Sequence, residues 1–278
     1  MRKRFCSFIL LVLLVFAGSF ASEPLRVLAI GNSFSVDALE QEMYPLAVAG
    51  GKQIVIGNLY IPGCPVERHY NNMKYDRQAY SYRKIGLDGR VDTIPDCPLS
   101  KALLDEKWDY ITFQQASGVS GIYDSYAKLP ELISMVRNAV GSHPVFLWHM
   151  TWAYSPDSTH CEFKNYDNDQ MKMYESIVGC VRRVLAENPE IKGIIPCGTA
   201  IQDARTSALG RNLTADGYHL SRDEGRYIAS CTWYAVLFGE PVLGNSYVPG
   251  ILNSEQVRIA QAAADTAVKE PFSITQIR

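Results

Sequence analysis

Short apolar runs alternate with amphipathic segments along most of the chain. Five runs have the length and composition of buried strands, and they cover residues 25–30, 53–60, 110–113, 145–148 and 192–196. Segments with a helical period separate them, and they cover residues 38–49, 129–140, 169–187, 221–238 and 254–268. This alternation predicts a three-layer α/β/α sandwich, in which helices cover both faces of a central parallel sheet of about five strands.

Small or polar residues follow each predicted strand. In parallel sheets, ligand sites form beyond the carboxyl ends of the strands, so we expect a site among these residues. The strand ends are Gly31-Asn32-Ser33, Ile61-Pro62-Gly63, Gln114-Gln115, His149-Met150-Thr151-Trp152 and Cys197-Gly198-Thr199.

One long irregular stretch, residues 64–98, separates the second predicted strand from the third. Within it, Asp88-Gly89 is typical of a hairpin turn. Because no internal repeat or low-complexity linker divides the chain, residues 22–278 are predicted to form a single α/β domain with an insertion at about 64–98.

The first 21 residues have the pattern of a secretory signal peptide. A basic start, Arg2-Lys3-Arg4, precedes an unbroken apolar run at residues 8–16, and Ser19-Phe20-Ala21 supplies the small residues that a signal peptidase reads. We expect cleavage after Ala21 and export to the periplasm or the extracellular space. An uncleaved membrane anchor is the alternative, although the apolar run is short for a span. No membrane span is predicted after the signal is removed.

Charge and cysteine content narrow the range of partners. The 278 residues carry a formal net charge of -2, which gives no basic field for nucleic acid. No clustered Cys and His spacing indicates zinc, so no metal is predicted. Export predicts one or two disulfides among the cysteines that follow the signal peptide, with the others as buried thiols. These cysteines are Cys64, Cys97, Cys161, Cys180, Cys197 and Cys231, and their pairing is left open.

A serine early in the chain and an Asp-x-x-His pair near its end suggest nucleophilic catalysis. Ser33 follows the first predicted strand, and Asp216 and His219 stand three residues apart. At that spacing the aspartate can reach one imidazole nitrogen, fix the tautomer and stabilise the imidazolium. The structural alternative is that Ser33 only caps a helix. We predict that Ser33 is the nucleophile, His219 the base and Asp216 the residue that orients the base.

Three further residues at strand ends are candidate donors to an oxyanion. Gly63 would let the backbone approach the oxyanion closely, and Gln114 or Gln115 would donate from a side-chain amide. The structural alternatives are a turn glycine and polar residues that satisfy a loop. His149 ends the fourth predicted strand, and we interpret it as a packed structural histidine rather than as a pocket residue.

These residues resemble the SGNH hydrolase superfamily, the GDSL-type esterases. The stretch GNSFS at residues 31–35 resembles the block that carries the nucleophile, and DGYHLS at residues 216–221 resembles the Asp-x-x-His block. Gly63 falls where the second block places its oxyanion glycine. The likeness extends over nearly all of the chain after residue 21. It is closest to a poorly characterised branch of secreted bacterial proteins linked to glycan breakdown, which also has a TWAY-like stretch, here residues 151–154.

The resemblance implies a flavodoxin-like fold, a Ser-His-Asp triad and chemistry without a metal or an organic cofactor. One block departs from the superfamily pattern. The third block normally has Gly-x-Asn, and this chain has Gln114-Gln115 instead. We expect Gln114 to be the donor, because it resembles the glutamine that ends this strand in the branch.

Aromatic and basic residues suggest a carbohydrate. Trp152 and Tyr154 follow the fourth predicted strand and are candidates to stack on a sugar ring, with core packing as the alternative. Residues 67–90 contain six Lys or Arg against three Asp or Glu, together with four tyrosines. We expect this segment to overhang the site and to bind an acidic glycan through Arg77 and Arg83, whereas the structural interpretation is a solvated loop.

The function predicted from the sequence is a secreted serine esterase that removes O-acetyl or methyl ester groups from polysaccharide. The alternative is a secreted glycan-binding protein that keeps the fold without catalysis. The expected partner is a carbohydrate ester, without nucleic acid, and the sequence leaves the oligomeric state open.

Overall fold

The structure, a computed structural model, describes residues 23–278 and contains a central sheet of seven strands. The predicted signal peptide lies outside the described residues. The strands are β1 Leu25–Gly31, β2 Ile54–Tyr60, β3 Tyr80–Ile85, β4 Val91–Cys97, β5 Tyr110–Phe113, β6 Val145–His149 and β7 Ile191–Ile195, and their order in the sheet is β4-β3-β2-β1-β5-β6-β7.

The described residues form nine α-helices, and their bounds are α1 Ser33–Leu39, α2 Met43–Ala49, α3 Val66–Lys74, α4 Leu99–Leu103, α5 Leu129–Val140, α6 Gln170–Glu187, α7 Cys197–Arg205, α8 Glu224–Phe238 and α9 Ser254–Lys269. Eight of them pack against one another in two groups, of which one contains α1, α2, α7, α8 and α9 and the other contains α3, α4 and α5. Helix α6 packs against β7. The prediction of an α/β fold with helices flanking a largely parallel sheet is confirmed.

All five predicted strands are present, and they pair in parallel. Counted among themselves, they have the order 2-1-3-4-5 of doubly wound, flavodoxin-like sheets, and the order reverses between β1 and β5. Ligands bind at this switch point in such sheets, so the ends of β1 and β5 are where a site is expected. Both strands are apolar because they are central, and Val27 and Ile111 are fully buried.

The prediction of about five strands is too low, because the insertion adds β3 and β4. They form an antiparallel hairpin that pairs with β2 and extends the sheet at that edge. The predicted turn at Asp88-Gly89 is present, and Gly89 has a φ of +76°. Strand β4 has no apolar run, because six of its seven residues are exposed and it contains Pro95, both of which are typical of an edge strand.

The helices also differ from the prediction, because α3 lies within the stretch predicted to be irregular and α4 directly follows that stretch. The single helix expected at residues 38–49 is two helices, α1 and α2, and α1 begins at Ser33. Helix α7 was not predicted at all. All nine of its residues are buried, so it has no polar face and no amphipathic period to detect.

The prediction of one or two disulfides is wrong for this structure, in which all six described cysteines are free. Five of the thiols are buried and pack as small apolar groups, while Cys161 is exposed. Across residues 23–278, no helix combines the length and the apolar character that crossing a membrane requires.

Candidate active site

Ser33 is the first residue of α1, directly beyond the carboxyl end of β1. Asn32 caps the helix, and its Oδ1 accepts a hydrogen bond from the N–H of Phe34 at 3.0 Å. Gly31 makes this sharp turn possible, because a Cβ at that position would lie only 2.2 Å from Oγ of Ser35. The chain therefore folds back tightly and leaves Ser33 at the helix N-terminus, where negative charge is favoured.

Asn32 also joins the ends of three strands around the serine. Its Oδ1 accepts from Nε2 of Gln114 at 2.6 Å, and its Nδ2 donates to the carbonyl of Cys64 at 3.2 Å. Gly63, the residue before Cys64, is exposed and has a φ of +56°. Within residues 23–278, the backbone N–H groups of Gly63 and Ser33 donate to no atom. Both are free to bind an oxyanion.

The two glutamines after β5 have different hydrogen bonds. Nε2 of Gln115 donates to both the carbonyl and the Oγ of Ser125, at 3.0 Å each, while its Oε1 accepts from the N–H groups of Val66 and Ala116. Both donor hydrogens of the Gln115 amide are therefore in use. The expectation that Gln115 could serve as an oxyanion donor is wrong for this geometry.

Gln114 retains one free amide hydrogen. Its Nε2 makes one hydrogen bond, to Asn32, and its Oε1 accepts from Nδ1 of His149 at 2.9 Å. His149 is fully buried, and burial lowers its pKa to about 3, so its ring is neutral. Gln114 therefore lies beneath the nucleophile loop in a buried network, and its role as an oxyanion donor stays a prediction.

Asp216 and His219 are brought together as the spacing predicts. Nδ1 of His219 lies 2.7 Å from Oδ2 of Asp216, and Oδ1 accepts from the backbone N–H groups of His219 and Tyr218 at 2.8 and 3.2 Å. Partial burial acts to raise the pKa of Asp216, but these hydrogen bonds outweigh it and hold that pKa below its usual value. The ionised carboxylate places the proton on Nδ1 and leaves Nε2 as the basic nitrogen.

A buried aspartate fixes the loop of His219 to the helix of Ser33. Asp37 lies one turn after Ser33 on α1, and its side chain is only 3% exposed. Its Oδ2 accepts from the N–H of Leu220 at 2.8 Å, and its Oδ1 lies 2.8 Å from Nη2 of Arg226. Burial raises the pKa of Asp37 against the opposing effect of Arg226. This connection positions Ser33 and His219 relative to each other.

Trp152 provides a second connection between the same two elements. Its ring stacks on Phe34 at a centroid distance of 4.1 Å, and its Nε1 donates to the carbonyl of Tyr218 at 2.8 Å. The ring is fully buried and has no face available to a ligand. The prediction that Trp152 stacks on a sugar is therefore wrong, and the residue positions the site instead.

Tyr154 is also fully buried, which overturns its predicted role in stacking on a sugar. Its hydroxyl lies 2.9 Å from Oγ of Ser117. Two half-buried aromatic rings that the sequence did not single out lie next to His219, namely Tyr218, whose centroid is 4.1 Å from that of His219, and His160, which lies 4.6 Å from Tyr218. They were missed because neither follows a strand directly.

Ser33 and His219 line one open cavity of about 310 Å³. In this geometry the Ser33 hydroxyl makes no hydrogen bond within the described part of the chain, and neither does Nε2 of His219. The other lining residues are Val36, Asp37, Tyr60, Arg83, Ala215, Asp216, Leu220, Arg222 and Arg226.

The structure separates the two arginines predicted to bind substrate. Arg83 lies on β3 and lines the cavity, where its guanidinium pairs with Glu40 at 2.8 Å and lies 4.3 Å from the ring of Tyr60. Arg77 is exposed, lies over the ring of Tyr75 at 5.3 Å and does not line this cavity. The insertion therefore reaches the site through its hairpin.

A family model described as "Domain of unknown function (DUF4886)" matches residues 26–267, a range that contains every residue of the candidate site. The chain belongs to the DUF4886 family. The crystal structure of a DUF4886 family protein from Bacteroides uniformis ATCC 8492 is 47% identical in sequence and superposes with a TM-score of 0.90. The match covers 91% of this chain and 98% of that one.

More distant structures resemble this DUF4886 chain only weakly. A gut microbial diltiazem-metabolizing enzyme is 14% identical with a TM-score of 0.44, over 78% of this chain and 47% of that one. An alpha/beta hydrolase enzyme from the metagenome of Lake Arreo, Spain, is 12% identical with a TM-score of 0.46, over 79% of this chain and 97% of that one. No protein with a curated description matches the chain. None of these likenesses is specific to SGNH hydrolases, so that resemblance stays a prediction.

The described part of the DUF4886 chain has no group of three His, Cys, Asp or Glu placed to hold a metal ion. The chemistry that the side chains themselves can supply is acid–base and nucleophilic. His219 offers a basic nitrogen and Ser33 a hydroxyl in one cavity, and the N–H groups of Ser33 and Gly63 have no acceptor among the described residues.

Proposed function

We propose that this DUF4886 protein is a serine ester hydrolase that uses Ser33, His219 and Asp216. One observation carries the proposal. The Asp216–His219 hydrogen bond, 2.7 Å long, lies beside a serine that faces the same cavity and whose hydroxyl has no partner among residues 23–278. Acyl transfer requires a free hydroxyl as the nucleophile and a base that a carboxylate orients.

In the first half of the reaction, Oγ of Ser33 attacks the ester carbonyl carbon and Nε2 of His219 takes its proton. The tetrahedral oxyanion accepts hydrogen bonds from the N–H groups of Ser33 and Gly63, with the remaining amide hydrogen of Gln114 as a third donor. Collapse of this intermediate breaks the ester C–O bond, and the departing alcohol takes the proton from His219. Ser33 then carries the acyl group.

In the second half, His219 takes a proton from water while the water oxygen attacks the acyl carbon. The second tetrahedral intermediate collapses, and the proton returns to Oγ of Ser33. The products are a carboxylic acid and the free enzyme. In this scheme Asp216 stays ionised throughout and holds the imidazolium that forms twice.

We extend the proposal to esters of carbohydrates, namely O-acetyl or methyl esters of polysaccharide, and to an exported enzyme. The half-buried rings of Tyr218, next to His219, and of His160, next to Tyr218, support this choice, because aromatic faces close to a site suit a sugar ring. The N-terminal pattern supports export.

Labelling with a fluorophosphonate probe tests the catalytic proposal. We expect the probe to modify Ser33, the Ser33→Ala variant to lose labelling, and His219→Ala to slow it strongly. His143→Ala is the matched control, because His143 also pairs with an aspartate, Asp109 at 3.4 Å, but does not line the cavity. Labelling that persists in Ser33→Ala would contradict the mechanism. An unlabelled protein that still binds glycans would favour the non-catalytic alternative.

A further inference from the structure

The cavity that contains Ser33 and His219 has three guanidinium groups along its side, those of Arg83, Arg222 and Arg226, here named the arginine wall. We propose that the arginine wall binds a carboxylate of the substrate, so that the ester hydrolysed belongs to an acidic carbohydrate such as a uronate-containing glycan. This inference rests on the proposed esterase function and specifies its substrate class.

The carboxylates around the cavity are already occupied by protein donors. Both oxygens of Asp37 accept, from Leu220 and Arg226, and both oxygens of Asp216 accept within its own loop. Glu40 accepts from Nδ2 of Asn58 on one oxygen and from Arg83 on the other. Each of these oxygens already accepts at least one hydrogen bond, which reduces what the carboxylates can offer to the hydroxyl groups of a neutral sugar.

Arg83 is held in place with donors to spare. Its Nη1 pairs with Glu40 at 2.8 Å, its Nε lies 3.4 Å from Oγ of Ser81, and its plane lies over Tyr60. Its Nη2 makes no hydrogen bond within residues 23–278. A guanidinium fixed by an ion pair and an aromatic face loses little freedom when it binds a ligand.

Arg222 and Arg226 make different contributions. Arg222 lies three residues after His219, is exposed and forms no ion pair in the described part of the chain, so its five N–H donors are available. Arg226 is engaged by Asp37 and by Oε1 of Gln41, and it adds positive charge without a free fork. Arg83 and Arg222 are therefore the residues expected to contact a carboxylate.

The other basic residues of the insertion do not belong to this wall. Lys84 lies 2.8 Å from Asp105 and 2.6 Å from Glu106, and Arg90 pairs with Asp88 near the hairpin turn. Neither lines the cavity. Arg90 is thus a matched control, because it shares the hairpin and the charge of Arg83 but lies outside the site.

Titration calorimetry with tetragalacturonate tests the subsite without requiring catalysis, with neutral xylotetraose as the comparison ligand. We expect tetragalacturonate to bind more tightly, and to lose about 10-fold in affinity in Arg83→Gln and again in Arg222→Gln. Arg90→Gln should bind like wild type. Added salt should weaken the binding of tetragalacturonate and leave that of xylotetraose unchanged, because exposed charges are screened over about 8–10 Å.

A matched pair of esters links the subsite to the reaction. Acetylated methyl glucuronoside and acetylated methyl glucoside differ in one carboxylate, and we expect kcat/KM to favour the glucuronoside about 10-fold in wild type and to be nearly equal in Arg83→Gln. Equal binding of the two tetrasaccharides, or equal losses in Arg83→Gln and Arg90→Gln, would overturn the subsite. If Ser33 is labelled by fluorophosphonate in that case, the esterase proposal stands alone. Arginine-dependent binding without labelling of Ser33 would leave the subsite and remove the esterase.

Discussion

Two histidines lie near Ser33, the proposed nucleophile, and their surroundings differ in two respects. The ring centroids of His219 and Phe34 are 6.1 Å apart, and those of His149 and Trp152 are 6.2 Å apart. Phe34 and Trp152 stack on each other. In each histidine, Nδ1 lies within hydrogen-bond distance of a side-chain oxygen. For His219 this oxygen belongs to a carboxylate and the ring is 29% exposed, whereas for His149 it belongs to an amide and the ring is fully buried.

The difference explains why His219, and not His149, is the histidine that we propose as the base. A carboxylate stabilises the imidazolium that forms when the base takes a proton, and an amide oxygen does so much less. Burial without a counter-charge lowers the pKa of His149 to about 3, so that this ring cannot accept a proton at neutral pH. His149 instead orients Gln114, and through Gln114 the loop that carries Asn32 and Ser33.

The largest expected effect comes from removing the catalytic base or the nucleophile. Because Ser33 and His219 act as one unit, Ser33→Ala and His219→Ala should each lower kcat by about 10³-fold or more, and the double variant should lose little beyond either single one. Hydrolysis of p-nitrophenyl acetate measures this, with His143→Ala as the control. If the losses of the two single variants multiply, the residues act independently and the triad interpretation fails.

The second prediction concerns the buried network. Gln114→Ala should lower kcat by about 10²-fold with little change in KM, because it removes an oxyanion donor and the hydrogen bond that holds Asn32. Gln115→Ala should leave kcat nearly unchanged, since both of its donor hydrogens bind Ser125. Thermal unfolding of both variants separates a catalytic loss from a folding defect. A kcat loss in Gln115→Ala alone would mean that the donor has been assigned to the wrong glutamine.

The sequence predicts those parts of the molecule that have a local signal. The five parallel strands were found because each contains a short apolar run, and the Asp216–His219 pair was found because its members are three residues apart. Strand β4 and helix α7 have no such signal, since β4 is exposed and α7 is buried on every side.

The remaining parts of the site depend on contacts that only the fold creates. Asp37 accepts from Leu220 across 183 residues of sequence, and Gln114 pairs with His149 across 35. Trp152 was taken for a sugar-binding ring because its position after a strand suggested exposure, yet it fills the space between Phe34 and the loop of His219. Position after a strand predicts proximity to the site but not which face is accessible.

Asp216→Asn gives a smaller loss and tests the carboxylate half of the comparison. The variant keeps the geometry but favours the wrong imidazole tautomer, so kcat should fall roughly 10- to 100-fold less than in His219→Ala. Because the pKa of Asp216 lies below its usual value in the folded state, this group stabilises the fold above pH 4 and that stabilisation is lost as the pH falls through the lowered pKa. Asp216→Asn should therefore weaken the acid-induced loss of stability in urea titrations. If kcat in Asp216→Asn equals that of wild type, the carboxylate has no role in orienting the base.

The last prediction concerns Asp203, a buried carboxyl group that, unlike Asp216, is not paired with a histidine. Asp203 is fully buried on α7, its Oδ1 accepts from the N–H of Thr275 at 2.6 Å, and its Oδ2 has no partner within the described residues. Burial raises the pKa of Asp203 to about 7, although the hydrogen bond from Thr275 opposes the rise. The folded state then holds this proton more tightly than the unfolded chain, so the contribution to stability is complete below pH 4 and is lost as the pH rises toward 7. The stability lost is at most about 4 kcal/mol, because the pKa of Asp203 differs by about three between the unfolded and the folded state and each pKa unit corresponds to about 1.4 kcal/mol. Asp203→Asn cannot titrate, so its free energy of unfolding should fall less than that of wild type between pH 5 and pH 8, whereas the exposed Asp157→Asn should follow wild type. If the free energy of unfolding changes with pH in the same way in wild type and Asp203→Asn, Asp203 is ionised across this pH range. Burial alone would then not decide the charge of this carboxyl group.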